Sequence, residues 1–262
     1  MSDTPVLFEV SDGIARITLN RPDAGNAIDV AMARALVEAS IQCQTGASIR
    51  CVVLTGAGRL FCAGGDIERF RTAGDKVDAL LSDLAGTLHM AIAGFARMAK
   101  PLLVLVNGPA AGAGLSLAIA GDVVICARSA HFTAAYGTLG LTPDGGMSWW
   151  LPRFVGLRKA QEIILTNRRV KADEAETIGM VTRTVDDDAL AAEGAAMAER
   201  LANAATGALG AARGLLRATF ETGYETQLES ELQSIVRAGA SPECREGLAS
   251  YFEKRPADFG RK

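Results

Sequence analysis

Two glycine-rich loops contain the backbone groups of this sequence that are best suited to chemistry. They lie within the segments VVLTGAGRLFCAGGDI and VLVNGPAAGAGLSLAIAGDVV. In each segment an apolar, β-branched run predicts a buried strand that ends in glycines, whose backbone can turn sharply and leave N–H groups free. The second loop leads into a predicted helix N-terminus, where N–H groups are also unpaired. The two loops could hold one substrate oxygen between two N–H donors, as in an oxyanion hole; alternatively, the glycines only permit turns and close packing.

Neither loop matches a nucleotide-binding motif. The first lacks the Lys-Ser/Thr pair of a P-loop, and Leu117 stands where a dinucleotide fingerprint needs its third small residue. Ser116 lies in GLSLA, which resembles a nucleophile elbow except that Ala118 replaces the closing glycine. His89 and His131 are the only histidines, which leaves little for a histidine metal site or a catalytic relay. We therefore expect neither a metal site nor a serine hydrolase.

The composition argues against several other classes of protein. With 27 Lys and Arg against 30 Asp and Glu, the formal net charge is −3, which disfavours nucleic acid or an anionic membrane as a partner. Five cysteines without a CxxC pair predict no disulfide framework and favour a reducing, cytoplasmic location. The N-terminus lacks the pattern of a signal peptide, and no uninterrupted apolar run approaches the roughly 18 residues of a membrane span. We therefore expect a soluble protein.

Strands and helices alternate in the first half of the chain and would position the two loops. Residues 6–10 and 14–19 flank Ser-Asp-Gly and predict a β-hairpin, and Asp29 is a predicted helix N-cap. Beyond them we expect strands near 51–54, 101–106, 123–126 and 130–132, helices over 75–99, 112–120, 145–154, 157–165 and 172–178, a short strand over 181–185, and helices from Asp186, Thr206, Tyr224 and Pro242. A length of 262 residues corresponds to about 1.7 average domains, and a shift in composition near residue 190 predicts a terminal helical region.

Five motifs in this order resemble those of the crotonase (enoyl-CoA hydratase/isomerase) superfamily: LNRPDAGNAID, LTGAGRLFCAGGDI, VNGPAAGAGLSLAIAGD, GLTPDGGMSWWLPRFVG and CREGLASYFEKRPADF. The resemblance covers nearly the whole chain. It implies an α/β fold, a superhelix of ββα units over residues 1–190, and a helical trimerisation region over 191–262. It also implies acyl-CoA thioester substrates, no cofactor apart from the coenzyme A of the substrate, and a homotrimer or a dimer of trimers.

The resemblance also implies roles for particular residues. Gly65 and Ala113 would supply the two N–H groups of the oxyanion hole. The residues implied to line the coenzyme A and acyl sites are Asn26, Ala27, Ile28, Ala63, Gly64, Asp66, Ile67, Gly112 and Tyr136, and those implied to contact the phosphates or the adenine, on a neighbouring subunit where the chain assembles, are Phe252 and Lys254.

The acid/base group needs a separate argument because the family performs several reactions. Ser116 and Tyr136 stand where the type hydratases of the family carry glutamates, so the carboxylate pair that activates water is absent. Asp144 matches the single carboxylate of peroxisomal-type enoyl-CoA isomerases and of bacterial epoxyphenylacetyl-CoA isomerases, which the chain resembles most. It would carry a proton from C2 to C4 of a 3-enoyl-CoA, aided by apolar neighbours such as Leu139, Leu141, Trp149 or Trp150. The alternatives are a divergent hydratase or lyase, and a non-catalytic relative that binds coenzyme A or RNA.

Several other residues have simpler explanations. TPDGG before a helix is also a typical capping sequence, so Asp144 could act only as a helix N-cap. Asp66 would fix its glycine loop or touch the adenine, and Asp122 would belong to a turn. Cys62 is expected to be a small buried apolar residue, and His131 a strand residue with a hydrogen-bonded nitrogen. Residues 69–84 are expected to cover the acyl site.

Overall fold

The computed structural model describes residues 4–260 of the chain. Its strands are β1 (Val6–Ser11), β2 (Ile14–Leu19), β3 (Cys51–Gly56), β4 (Leu102–Val106), β5 (Ala110–Ala111), β6 (Val123–Ala127), β7 (His131–Thr133), β8 (Val170–Lys171) and β9 (Arg183–Val185). Its helices are α1 (Val30–Thr45), α2 (Ile67–Ala73), α3 (Val77–Arg97), α4 (Ala113–Ile119), α5 (Met147–Val155), α6 (Leu157–Thr166), α7 (Ala172–Thr177), α8 (Leu190–Ala202), α9 (Thr206–Ala218), α10 (Tyr224–Gly239) and α11 (Pro242–Glu253).

Six strands form the main sheet, in the order β1-β2-β3-β4-β6-β9. The β1–β2 pair is antiparallel, as predicted, because Asp12 and Gly13 both take a positive φ and close the tight turn of a two-residue hairpin. The other pairs in this sheet are parallel. A smaller sheet, β5-β7-β8, lies beside it.

Apolar side chains cover both faces of the main sheet. One face packs on the larger core, which includes α1 and α3; Asp29 begins α1 as predicted, since its side chain accepts the Met32 N–H at 2.9 Å. The other face packs against α8 through Leu190, Ala198 and Ala202. Parallel strands that are covered on both faces are expected to be continuously apolar, as β4 is.

The site is built where β3 and β4 end. These neighbouring strands are parallel, so their carboxyl ends lie at the same edge of the sheet. The chain leaves β3 at Gly56 and leaves β4 at Val106, and each exit leads into one of the two glycine-rich loops. Ligands of open α/β sheets bind outside the carboxyl ends of the strands, so the topology brings both loops to the expected edge.

The helices differ in places from the predictions. Helix α5 begins at Met147 rather than at 145, and α8 begins at Leu190 rather than at Asp186. The sequence patterns did not predict α2, β5 or β8. Within the part of the chain described, one helical stretch, 67–97, is long and apolar enough to cross a membrane by length and composition. Its apolar face is instead used in the protein core, which receives Leu88 and Phe95 of α3.

Candidate active site

The two glycine-rich loops lie against each other and present two free N–H groups. A Cβ added to Gly64, which has a φ of +96°, would lie 3.4 Å from the Cα of Gly112, so only glycine permits this approach. The Ala111 N–H binds the Cys62 carbonyl oxygen at 2.9 Å and fixes one loop on the other. Within residues 4–260, the N–H groups of Gly65 and Ala113 donate to no other protein group. Two such donors at one cavity can stabilise negative charge on a carbonyl oxygen.

Both N–H groups border an apolar cavity of about 230 Å³. The predicted residues Ile28, Ala63, Gly64, Ile67, Gly112 and Tyr136 line it, together with Phe70, Leu81, Leu84, Ala85, Leu88, Ala135, Leu139, Leu141, Thr142 and Asp144. Helices α2 and α3 form one wall, as expected for residues 69–84. The Phe70 ring packs directly on Gly65, where an added Cβ would come within 2.7 Å of it. The cavity therefore fits an acyl group beside the two donors.

Asp144 is the carboxylate of this cavity. It is not a helix cap, because Gly146 begins α5 with a φ of +83° and no side chain caps the helix. The Tyr136 hydroxyl donates to Asp144 Oδ1 at 2.5 Å. Burial, and then the negative charge of Asp144, raise the pKa of the Tyr136 hydroxyl above its usual value, so it remains a protonated donor. One carboxylate oxygen is thus held and the other stays available.

Ser116 supports the same turn from α4. Its hydroxyl donates to the backbone oxygen of Asp144 at 2.8 Å and lies 3.4 Å from the Tyr136 hydroxyl. Ser116 is fully buried, and an added Cβ on Gly145 would lie 2.8 Å from its Cβ. Ser116 and Tyr136 therefore both hold Asp144 in place.

Sequence reasoning missed His89 as part of the site. Its Nε2 accepts the Gly145 N–H at 2.9 Å and lies 3.8 Å from Asp144 Oδ2. His89 lies in helix α3, more than 50 positions before Asp144 and Gly145 in the turn that precedes α5. No local sequence motif therefore indicates that they are close. Only the scarcity of histidine in the chain could have drawn attention to it.

Asn26 and Asp66 act mainly as supports for the loops. The Asn26 amide is fully buried and donates to the carbonyl oxygens of Ala57 and Leu60 at 2.9 and 2.8 Å. Asp66 begins α2 as its N-cap and pairs with Arg21 at 3.0 Å. This agrees with the loop-fixing role expected for Asp66. Contacts of Asn26, Ala27 or Asp66 with coenzyme A stay predictions.

Other predicted positions lie outside this cavity. Phe252 is 78% exposed near the end of α11, which Lys254 caps, and neither lines the cavity. Their contact with a coenzyme A of a neighbouring subunit stays a prediction. Trp149 and Trp150, expected as apolar neighbours of Asp144, do not line this cavity; they border a separate cavity with Arg153.

The remaining expectations concern single residues. Cys62 is fully buried, and burial raises the pKa of its thiol to about 12, so it is a packing residue rather than a nucleophile. His131 is a strand residue as expected, and among residues 4–260 its buried Nδ1 has no hydrogen-bond partner; a bond at the other nitrogen stays a prediction. Asp122 does more than form a turn, since it pairs with Arg213 at 2.6 Å. No three His, Cys, Asp or Glu side chains of the described residues are grouped as a metal site.

Comparisons with known proteins show the family of the chain. The family model for "Enoyl-CoA hydratase/isomerase" matches residues 9–262. The chain is 37% identical to the 1,2-epoxyphenylacetyl-CoA isomerase of Escherichia coli (strain K12) over 98% of both chains. It is 35% identical to a 4-chlorobenzoyl coenzyme A dehalogenase-2 of Arthrobacter sp, over 78% of this chain and 75% of the relative.

A solved structure shows the same fold. The crystal structure of an enoyl-CoA hydratase from Polaromonas sp. JS666 superposes with a TM-score of 0.92 at 31% identity, and the match covers 97% of this chain and 98% of the other. The names of these three relatives describe three different reactions, so they agree on the family and not on one activity. The chain is a crotonase-fold enzyme of the enoyl-CoA hydratase/isomerase family.

Proposed function

We propose that the protein is an acyl-CoA isomerase that moves a double bond from the 3-position to the 2-position of an acyl-CoA, on an aliphatic or a ring-derived acyl group. The observation that carries this proposal is the single carboxylate of the cavity. Asp144 faces an apolar space that two free N–H groups also border. The isomerase of Escherichia coli is a relative over nearly the full length.

The reaction needs one oxyanion site and one group that moves a proton. The N–H groups of Gly65 and Ala113 bind the thioester oxygen and stabilise the dienolate. Asp144 takes the proton from C2, the electron pair moves into the dienolate, and the same carboxyl group returns the proton at C4. Because Tyr136 occupies Oδ1, Oδ2 is the oxygen that moves the proton. Substrate and product have the same atoms, so no co-reactant is needed.

Two carboxyl groups would be expected of a hydratase, because water must be activated and the adjacent carbon protonated. The hydroxyls of Ser116 and Tyr136 stand at those places and are both engaged with Asp144. This arrangement supports isomerisation over hydration. Addition of water to crotonyl-CoA is the assay for the alternative.

The test compares Asp144→Asn with the wild-type protein on trans-3-enoyl-CoA, following conjugation by absorbance. Loss of the group should lower kcat by about 10²- to 10⁴-fold. Asp188→Asn, at an exposed aspartate, is the matched control and should keep full activity. No turnover by the wild-type protein, or full activity of Asp144→Asn, would contradict the proposal.

Isotope transfer tests the single-carboxylate mechanism directly. With substrate deuterated at C2 in ordinary water, one carboxyl group should return part of the label to C4 of the product. Complete loss of the label to solvent at early conversion would instead point to separate acid and base groups.

A second candidate reaction is hydrolytic displacement of a halide from an aromatic acyl-CoA. The observation that favours it is His89, which lies 3.8 Å from Asp144, together with the relative named as a dehalogenase. A carboxylate nucleophile with a histidine that activates water can form and then hydrolyse an aryl ester, releasing halide. This reaction would require His89 to release the Gly145 N–H that it accepts. Release of chloride from 4-chlorobenzoyl-CoA is the discriminating assay.

We also infer that the chain assembles as a homotrimer or a dimer of trimers. Helices α9, α10 and α11 and the turn after α9 leave large apolar side chains exposed, namely Leu216, Phe220, Leu228, Leu232, Ile235, Val236, Leu248, Tyr251 and Phe252. An apolar surface of this extent is typical of a contact between proteins. A tail seated on a neighbouring copy would also bring Phe252 and Lys254 towards that copy's site.

A further inference from the structure

His89 contacts the turn that carries Asp144 in a way that depends on its own charge. Its Nε2 accepts the Gly145 N–H at 2.9 Å. A ring nitrogen can accept only while it has no proton, so this contact belongs to the neutral imidazole with its hydrogen on Nδ1. A charged imidazole would have to release Gly145.

The turn itself leaves little room for adjustment. Gly145 has a φ of +62°, and an added Cβ there would lie 2.8 Å from the Ser116 Cβ. Ser116 of α4 binds the Asp144 carbonyl oxygen, and His89 of α3 binds the next N–H group along the chain. The turn is therefore clamped by one hydrogen bond from each of two helices. The His89 bond is the one that a proton can break.

The same nitrogen also lies near the reactive carboxylate. His89 Nε2 is 3.8 Å from Asp144 Oδ2, while the Tyr136 hydroxyl occupies Oδ1. A protonated Nε2 would donate to Oδ2, because that oxygen is the nearest acceptor with a negative charge. The proton would then occupy the oxygen that has to accept the substrate proton.

The exchange of the His89 hydrogen-bond partner depends on the charges of His89 and Asp144 themselves. Tyr136, from the turn before Asp144, is the other titratable group that touches the carboxylate, and its raised pKa keeps it neutral. Ser116, from α4, faces the carboxylate turn with an uncharged hydroxyl. Across residues 4–260, neither His89 nor Asp144 forms a second ion pair.

We propose that His89 is a positioning residue that switches the site with pH. The neutral ring holds the Gly145 N–H and leaves Oδ2 free, whereas the charged ring releases Gly145 and pairs with Oδ2. The proposal rests on the proposed function in one respect, that Asp144 is the group that moves the proton. Because the two arrangements differ by one proton on the ring, the switch would set the acid limb of the activity profile.

Two substitutions of His89 distinguish its hydrogen bond to the Gly145 N–H from its response to pH. Glutamine in His89→Gln can accept the Gly145 N–H with its side-chain oxygen but does not titrate. Its acid limb should therefore move down by about one pH unit or more, and its kcat at the plateau should exceed that of His89→Leu. His89→Leu removes the acceptor, so its kcat should fall by about 10-fold with KM nearly unchanged. The side chain is half exposed, so neither change disturbs the core.

The other histidine provides the matched control. His131 lies in β7 and does not line the cavity, so His131→Gln should leave the pH profile unmoved. An acid limb of His89→Gln that superposes on that of wild type would overturn the switch. An unchanged kcat in His89→Leu would overturn the holding role.

NMR measurements that do not depend on enzyme turnover can test this inference independently of the proposed function. The chain has two histidines, so nitrogen NMR of the imidazoles can be assigned with the His131→Gln variant. Above its midpoint, His89 should show an unprotonated Nε2, and on acidification the Gly145 amide signal should move with the same midpoint. A protonated Nε2 at about pH 8, or a Gly145 signal that ignores the titration of His89, would overturn the inference. If no acyl-CoA is isomerised and these signals are still coupled, the proposed function fails and the switch stands.

Discussion

The Tyr136 hydroxyl determines which oxygen of Asp144 is free. A carboxylate with two free oxygens can act through either one, whereas Asp144 has Oδ1 bound to Tyr136. The bond fixes the carboxylate plane relative to the two N–H donors. Holding a reacting group in one orientation is a large part of catalysis, because it removes the entropy cost of finding that orientation.

Tyr136→Phe should test this directly. The substitution removes the donor to Oδ1 and keeps the ring, so we expect kcat to fall by about 10- to 100-fold, since a hydrogen bond to a charged group contributes about 1.5–3 kcal/mol. The matched control is Tyr251→Phe, at a hydroxyl that is far more exposed. An unchanged kcat would show that Asp144 needs no such support.

Because the pKa of Tyr136 is raised, its hydroxyl stays a donor in alkaline solution and should add no alkaline limb to the pH profile of kcat below about pH 10.

Sequence reasoning found the carboxylate and the loops but not the histidine. Asp144 and the glycines are marked by motifs that are continuous in the chain. His89 meets Gly145 only because α3 crosses the turn before α5, and no pattern of spacing encodes that crossing. Trp149 was expected beside Asp144 because it is near in sequence, but a helix turns neighbours to opposite sides.

Helix α9 is joined to the core by charged contacts of Arg213. Arg213 of α9 donates to Asp122 and to the Met98 carbonyl oxygen, each at 2.6 Å. Asp122 in turn accepts the Leu102 N–H at the start of β4, at 2.7 Å. Carbonyl groups at the end of a helix lack partners within it, so Arg213 both caps α3 and ties α9 to the sheet.

Arg213→Met should therefore lower the free energy of unfolding by on the order of 2 kcal/mol, because it removes the charged partner of Asp122 and the side-chain donor to the Met98 carbonyl oxygen. Arg128→Met is the matched control: Arg128 pairs with Asp173 at the surface, where both side chains are more than half exposed. Such exposed pairs contribute less than about 1 kcal/mol. Urea unfolding of both variants measures the difference, and equal losses would contradict the special role of Arg213.

Elements with strong local signals were largely predicted, with α2 as an exception, whereas two short strands that depend on a distant partner were not. The β1–β2 hairpin follows from its turn residues, and α1 from its capping aspartate. Strand β8 has two residues and exists because it pairs with β7. Strand β5 is equally short and pairs with the same strand. Such short strands have no periodicity for a sequence analysis to detect.

Within residues 4–260, α10 and its neighbours present an exposed group of large apolar side chains. Leu232 and Ile235 of α10 are 56% and 70% exposed. Large apolar groups on successive turns of one helix are costly in water unless another surface covers them. If a second copy of the chain covers this face, the tail that carries Phe252 and Lys254 lies close to that copy.

Replacing Leu232 and Ile235 together by glutamate should dissociate the assembly, because two charges cannot be buried in an apolar contact without partners. Sedimentation equilibrium should then report about 27 kDa instead of three or six times that mass. Leu165→Glu is the matched control, since Leu165 is 78% exposed on α6, away from this face. KM for the acyl-CoA should rise in the dissociated variant, because any contact from a neighbouring tail is lost, while kcat depends on groups of one chain and should change less. A wild-type protein that sediments as a monomer would contradict the proposed assembly. An unchanged KM in the dissociated variant would show that Phe252 and Lys254 do not contribute to binding of the acyl-CoA.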